Sequence, residues 1–193
     1  MIPSIERAVL SAAEATLGHL IMITRMNGSK LVSEGVLYET FHSTLRTHTK
    51  MWVNHEHKVQ LASEKTRKSA AGDKKRVDFA IKHDNNITLV EVKIASRTKL
   101  ASKEVVTGDM QKLATSTPMP SSGEAFANVA YLVVFNLSIG VNEQDPKSGI
   151  IEWTNRPPHE NDVDVIGTYQ YDSVKLKRSA IVFRIRRRNV SSK

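Results

Sequence analysis

Residues 76–93 read "RVDFAIKHDNNITLVEVK", two apolar runs around a polar centre. Alternation at period two on both sides of a turn-forming His-Asp-Asn-Asn predicts a β-hairpin. With the turn centred between Asp84 and Asn85, Val77 faces Val92, Phe79 faces Val90 and Ile81 faces Thr88, giving one apolar side that must lie on a core. The same register sets Asp78 opposite Glu91 on the other side, with Lys93 two residues further along that side. A one-residue slip would destroy both patterns together. The chain must therefore fold around a strand pair that is apolar on one face and carries two opposed acids and a lysine on the other.

Opposed carboxylates repel unless a cation lies between them. Hard divalent ions such as Mg²⁺ take one or two carboxylates together with water and substrate phosphate. A neighbouring lysine can orient a water and offset negative charge developing on a phosphate. Asp78, Glu91 and Lys93 thus suit phosphodiester hydrolysis. An acid-x-Lys run alone is weak evidence, and Glu56-His57-Lys58 is a second copy. That copy has no partner upstream, because the first aspartate in the chain is Asp73.

Around the hairpin, helical periodicity predicts a helix over 3–25, with Ser4 as N-cap, and another from Lys30 to about Thr47. In the second helix Leu31, Glu34, Tyr38, Phe41 and Leu45 share a face. Glu34 within that stripe fits either the favourable macrodipole position at a helix start or a carboxylate aimed at a site. Residues 51–61 read as a strand, on which His55 and His57 share a face that could bind a metal; with no third ligand in view, they read as exposed strand histidines. Residues 62–76 form a polar linker with six Lys or Arg against two acids. A third helix is expected over 102–115, burying Val105, Met110, Leu113 and Ala114. Residues 127–139 are nearly continuous apolar, as in a central strand buried on both faces. Loops at 140–149 and 155–162 surround a short strand at 150–153; 163–171 reads as a strand or irregular edge, and 179–188 as a last strand. The fold class expected is α/β, a mixed central sheet flanked by helices.

The chain has 193 residues, and 28 Lys and Arg against 20 Asp and Glu give a net charge of +8. That balance favours a polyanionic partner, nucleic acid first. No cysteine is present, which excludes a disulfide framework, a thiolate zinc site and a cysteine nucleophile and fits the cytoplasm. No apolar stretch, "LGHLIMI" at 17–23 included, approaches the roughly 20 residues a membrane span needs. Glu6 and Arg7 break any signal-peptide layout, so neither export nor a membrane partner is expected. No internal repeat, Gly-rich phosphate loop or nucleophile elbow is visible.

The placement of Asp78 on one strand and Glu91-Val92-Lys93 on the next resembles the PD-(D/E)xK nuclease superfamily, with its restriction-endonuclease-like core. Val77 stands where the motif name has proline, a widely replaced position. The resemblance covers residues 30–139 and implies a helix, a three-stranded meander, a second helix and a further strand. It implies a Mg²⁺-dependent endonuclease, with Mn²⁺ a substitute, acting on nucleic acid, DNA before RNA. Asp78, Glu91 and the Val92 carbonyl would hold metal, Lys93 would position the attacking water, and Glu34 would match the glutamate many members place on the first helix. Gln111-Lys112 resembles a Gln-Lys pair of some branches; a place near the phosphate and an ordinary helix surface both remain open. Lys74, Lys75 and Arg76 in the basic linker, and Arg186, Arg187 and Arg188 in "KLKRSAIVFRIRRR", are the candidate phosphate contacts. The whole of 1–193 reads as one nuclease-like domain, in which 1–28 is a helix open to being an appendage, 29–139 the motif region and 140–193 C-terminal strands with a basic end. The first helix also offers an interface for a homodimer or a partner protein. The alternative reading is a nucleic-acid-binding or partner-binding protein of a defence system or mobile element, with the same fold and no cutting activity.

Overall fold

The structure, a computed structural model, describes residues 4–27, 34–49, 51–60, 76–84, 86–95, 103–118, 123, 125–136, 163–173 and 176–187. Two helices come first, α1 (Ile5–Asn27) and α2 (Glu34–Thr49). Strands β1 (Trp52–Lys58), β2 (Arg76–His83) and β3 (Asn86–Ala95) follow, then helix α3 (Lys103–Thr115). Strands β4 (Ala125–Phe126), β5 (Val129–Asn136), β6 (Val163–Ser173) and β7 (Leu176–Arg186) complete the order. Lys74, Lys75, Arg188 and the strand expected at 150–153 lie outside the described residues.

The seven strands form one mixed sheet in the order β1-β2-β3-β5-β7-β6, with β4 beside the start of β3. β1, β2 and β3 are an antiparallel meander, β5 runs parallel to β3 after the α3 crossover, and β7 and β6 close the sheet antiparallel. A parallel neighbour requires such a crossover, and α3 supplies it.

Each sheet face carries its own core. Against α1 and α2 lie Val53, Phe79, Ile81, Val90, Val92, Tyr131, Val133, Phe135, Ala180 and Val182. Against α3 lie Ala80, Ile87, Leu89, Ala130, Leu132, Val134, Ile181, Phe183 and Ile185. The alternation along β5 and β7 assigns successive residues to opposite cores, as a strand covered on both sides must. The helix α1 is part of the first core: Val9, Ala12, Ala13, Leu17 and Leu20 are buried there. Ser4 Oγ accepts the Arg7 amide at 3.2 Å and caps its start. In α3 the buried face is carried by Val106, Met110 and Leu113; the Val105 side chain lies outside the described residues.

Between Val165 and Gly167 the β6–β7 register shifts by a bulge. A Cβ at Gly167 would sit 2.5 Å from Leu10 Cδ2 of α1. Gly167→Ala is therefore expected to cost a net of about 1 kcal/mol through overpacking, partly offset by a less flexible unfolded chain. The shift in the urea unfolding midpoint measures it; a stabilised variant would contradict the close approach.

Candidate functional site

The hairpin ladder pairs Phe79 with Val90, Ala80 with Leu89, Ile81 with Thr88, Lys82 with Ile87 and His83 with Asn86. That is the register read from the sequence, with Asp84 at φ 51° entering the turn. The ladder does not continue to Asp78. There the strands are tied through side chains: the Val92 amide donates to Asp78 Oδ2 at 2.8 Å, and the Asp78 amide donates to Glu91 Oε2 at 3.4 Å. Each carboxylate thus meets the backbone of the opposite strand.

One expectation fails at this point. Val77 does not share a face with Phe79 and Val92; it packs in the α3-side core. Its partner on β1, His57, meets Phe126 at 6.0 Å between ring centroids, whereas His55, paired with Phe79, meets Phe79 at 5.3 Å and Tyr38 at 6.0 Å. His55 and His57 therefore point to opposite faces. The cause is Glu56, which takes a left-handed φ of 54° and interrupts the two-residue alternation of an extended strand. The pairing of Glu56 with Asp78 is the one missing from the β1–β2 register. Asp78 thus sits where both strands twist.

Glu91 and Lys93 project from β3 under α3, where the helix adds Asp109 and Lys112. Glu91 is 2% exposed. Its Oε1 lies 2.6 Å from Lys112 Nζ and 3.3 Å from Lys93 Nζ. Asp109 closes the ring, with Oδ2 3.3 Å from Lys93 Nζ and Oδ1 3.5 Å from Lys112 Nζ. Lys112 Nζ also donates to the Arg76 carbonyl at 3.1 Å. Three carboxylates and two ammonium groups form one largely buried cluster at the end of the hairpin.

Burial, then the nearby Glu91 charge, pushes the Asp78 carboxyl up to about 7, against the lowering effect of its Val92 hydrogen bond. Burial disfavours the charge on Lys93, but Glu91, Asp109 and Asp78 together outweigh it and raise its pKa. Lys93 is an ammonium at neutral pH and is able to donate hydrogen bonds, not to act as a base. The raised Asp78 pKa means that the folded chain holds this proton more tightly than the unfolded one. Its contribution to stability is present in full below about pH 4 and is lost as pH rises through about 7. In metal-free buffer, the stability of the wild type relative to Asp78→Asn should fall between pH 4 and 8. Urea unfolding of both proteins across that range checks the sign; a constant difference would refute it.

The remaining candidates fall in different places. The Glu34 backbone starts α2, and its side chain lies outside the described residues. Tyr38, one turn later, sits over Phe79 at 6.1 Å, so the start of α2 points toward the Asp78 end of β2 from the face opposite α3. The Val92 side chain is buried in the α1–α2 core. Gln111 is exposed on α3, whereas Lys112 turns inward and is only 12% exposed. Arg76 is exposed and pairs with Glu56 at 2.6 Å. Arg186 is 63% exposed, 3.6 Å from Asp164.

Arg187 departs from expectation. Its guanidinium donates to the Leu113 and Ser116 carbonyls and lies 4.9 Å over the Phe126 ring. It completes the hydrogen bonds at the end of α3, and burial pushes its pKa down to about 10. That guanidinium is committed to the fold, not offered to a phosphate. Asp109 was not legible as a site residue, although its position three before Lys112 puts both on one stripe of α3.

Among the described residues no three His, Cys, Asp or Glu side chains gather as a cage for a metal ion. Asp78 and Glu91 instead offer two carboxylates held close against their own repulsion, a donor set that suits a Mg²⁺ ion completing its shell with water and phosphate. No described helix is long and apolar enough to cross a membrane. No family model, curated protein or solved structure matches the chain.

Proposed function

We propose that this chain is a Mg²⁺-dependent nuclease that hydrolyses phosphodiester bonds, DNA before RNA, on a restriction-endonuclease-like core. The observation that carries the reading is the meeting of Asp78, Glu91 and Lys93 at one end of the hairpin, beside Lys112 of α3. The order α2, β1–β2–β3 meander, α3 and parallel β5 supports it, because that is the order the resemblance implies. The net charge of +8 supports a polyanionic substrate.

In this reading Asp78 and Glu91 hold the metal, with the Val92 carbonyl as a further ligand and Mn²⁺ as a substitute ion. The bound ion would supply Lewis-acid polarisation of a phosphoryl oxygen and a more acidic water. Lys93 donates hydrogen bonds to the water and to the phosphate, and its charge offsets the negative charge that develops there. Asp109 holds Lys93 in place from the helix side. Burial of Glu91 keeps the electrostatics of the pocket strong by excluding bulk water.

The test incubates the protein with supercoiled, linear and single-stranded DNA and with RNA, in Mg²⁺ or Mn²⁺ and in EDTA. Cleavage of at least one form that needs the divalent ion is the expected result. Binding of nucleic acid that is equally strong in EDTA, with no form cut, would replace this reading by that of a binding protein.

A further inference from the structure

Lys112 occupies one of the two Glu91 oxygens that a bound cation would use, Oε1. Its Nζ lies 2.6 Å from Glu91 Oε1, closer than Lys93 at 3.3 Å. A Mg²⁺ ion binds carboxylate oxygen at about 2.0–2.1 Å, so an ion on that oxygen would lie close to the ammonium and repel it. The same ammonium has a second carboxylate within reach. Asp109 Oδ1 is 3.5 Å away on the same helix, just beyond a good hydrogen bond. The other Asp109 oxygen, Oδ2, is buried and faces Lys93 Nζ at 3.3 Å. Lys93 lies farther from Glu91 and is shared with that Oδ2.

From this geometry we infer that Lys112 is a movable counter-ion that neutralises Glu91 without metal and swings onto Asp109 when a divalent cation binds. The inference rests on the metal reading above and adds to it. Lys112 sets the affinity of the site by competing for Glu91, and Asp109 is the positioning residue that receives it. Close charge pairs of this kind couple strongly enough to change affinity at least about tenfold.

The test is direct Mn²⁺ binding, read from the electron paramagnetic resonance of the free ion, for wild type, Lys112→Gln, Asp109→Asn and the double variant. Lys112→Gln should bind Mn²⁺ at least about tenfold more tightly than wild type. Asp109→Asn should weaken binding in the wild-type background and have little effect in the Lys112→Gln background. Binding by Lys112→Gln alone, with none by wild type, would equally support the competition. Equal or weaker binding by Lys112→Gln overturns the inference while leaving the metal reading intact, and an Asp109→Asn effect of the same size in both backgrounds removes Asp109 from it. No binding by any of the four proteins overturns the inference and the metal reading together. Should Lys112→Gln fail to fold, ¹⁵N spectra of the lysine ammonium groups in the wild type decide the matter. The Lys112 signal must move on Mg²⁺ addition, and a saturating ion that leaves it unchanged overturns the inference.

Discussion

Lys93→Ala should lower metal-dependent cleavage by at least about 100-fold at saturating nucleic acid, the usual cost of removing one aimed donor from a site where charge develops. The residue is suited to that effect by its surroundings. Glu91 and Asp109 each lie 3.3 Å from its Nζ and hold the ammonium between strand and helix. Its raised pKa keeps it charged through neutral pH. Asp78→Ala should fall at least as far, because it removes one of the two carboxylates and frees the Val92 amide. Lys93→Arg should recover little, since a planar fork does not replace a compact ammonium. Single-turnover cleavage rates, with circular dichroism to verify folding, provide the measurement. Folded Lys93→Ala and Asp78→Ala proteins that both cut within a few-fold of the wild type would remove these residues from the chemistry.

The pocket was partly legible because strand register is a strong constraint. An apolar face and a charged face on one hairpin allow only one pairing, and Phe79–Val90 and Ile81–Thr88 pair accordingly. Alternation assumes extended backbone throughout, and Glu56 breaks that assumption with a φ that few non-glycine residues adopt. Nothing in "NHEHK" marks the break, so Val77 and His57 appear on the faces opposite to those the period predicts. Arg187 eluded composition for a different reason. A run of arginines looks alike in sequence, but among its described members only Arg187 reaches the carbonyl end of α3 and Phe126. Asp109 depends on the tertiary placement of α3 above β3, which no local period encodes. It nonetheless contacts both lysines of the cluster. The most informative residues of the site are therefore those at which a second element meets the hairpin.

Phe79→Ala should destabilise the fold by about 3–5 kcal/mol, the usual cost of truncating a buried phenylalanine. The ring is fully buried and sits at the centre of an aromatic group. Phe41, His42 and His55 lie 5.4, 5.7 and 5.3 Å from it, and Tyr38 completes the group at 6.1 Å. Three of these partners are on α2 and one on β1, so the ring joins the helix to the outer strand β1 of the meander. Contacts of this kind add about 0.5–1.5 kcal/mol to the area buried. Phe79→Leu keeps most of the volume and should cost less than half as much. The residue precedes Ala80 in the register and follows Asp78, so loss of its packing should also loosen the twist that brings Asp78 to Glu91. Chemical denaturation gives the stability change. Mn²⁺ affinity measured well below the unfolding transition separates the two effects: it should weaken in Phe79→Ala more than in Phe79→Leu. An alanine variant as stable as the wild type would show that α2 is not anchored through this ring.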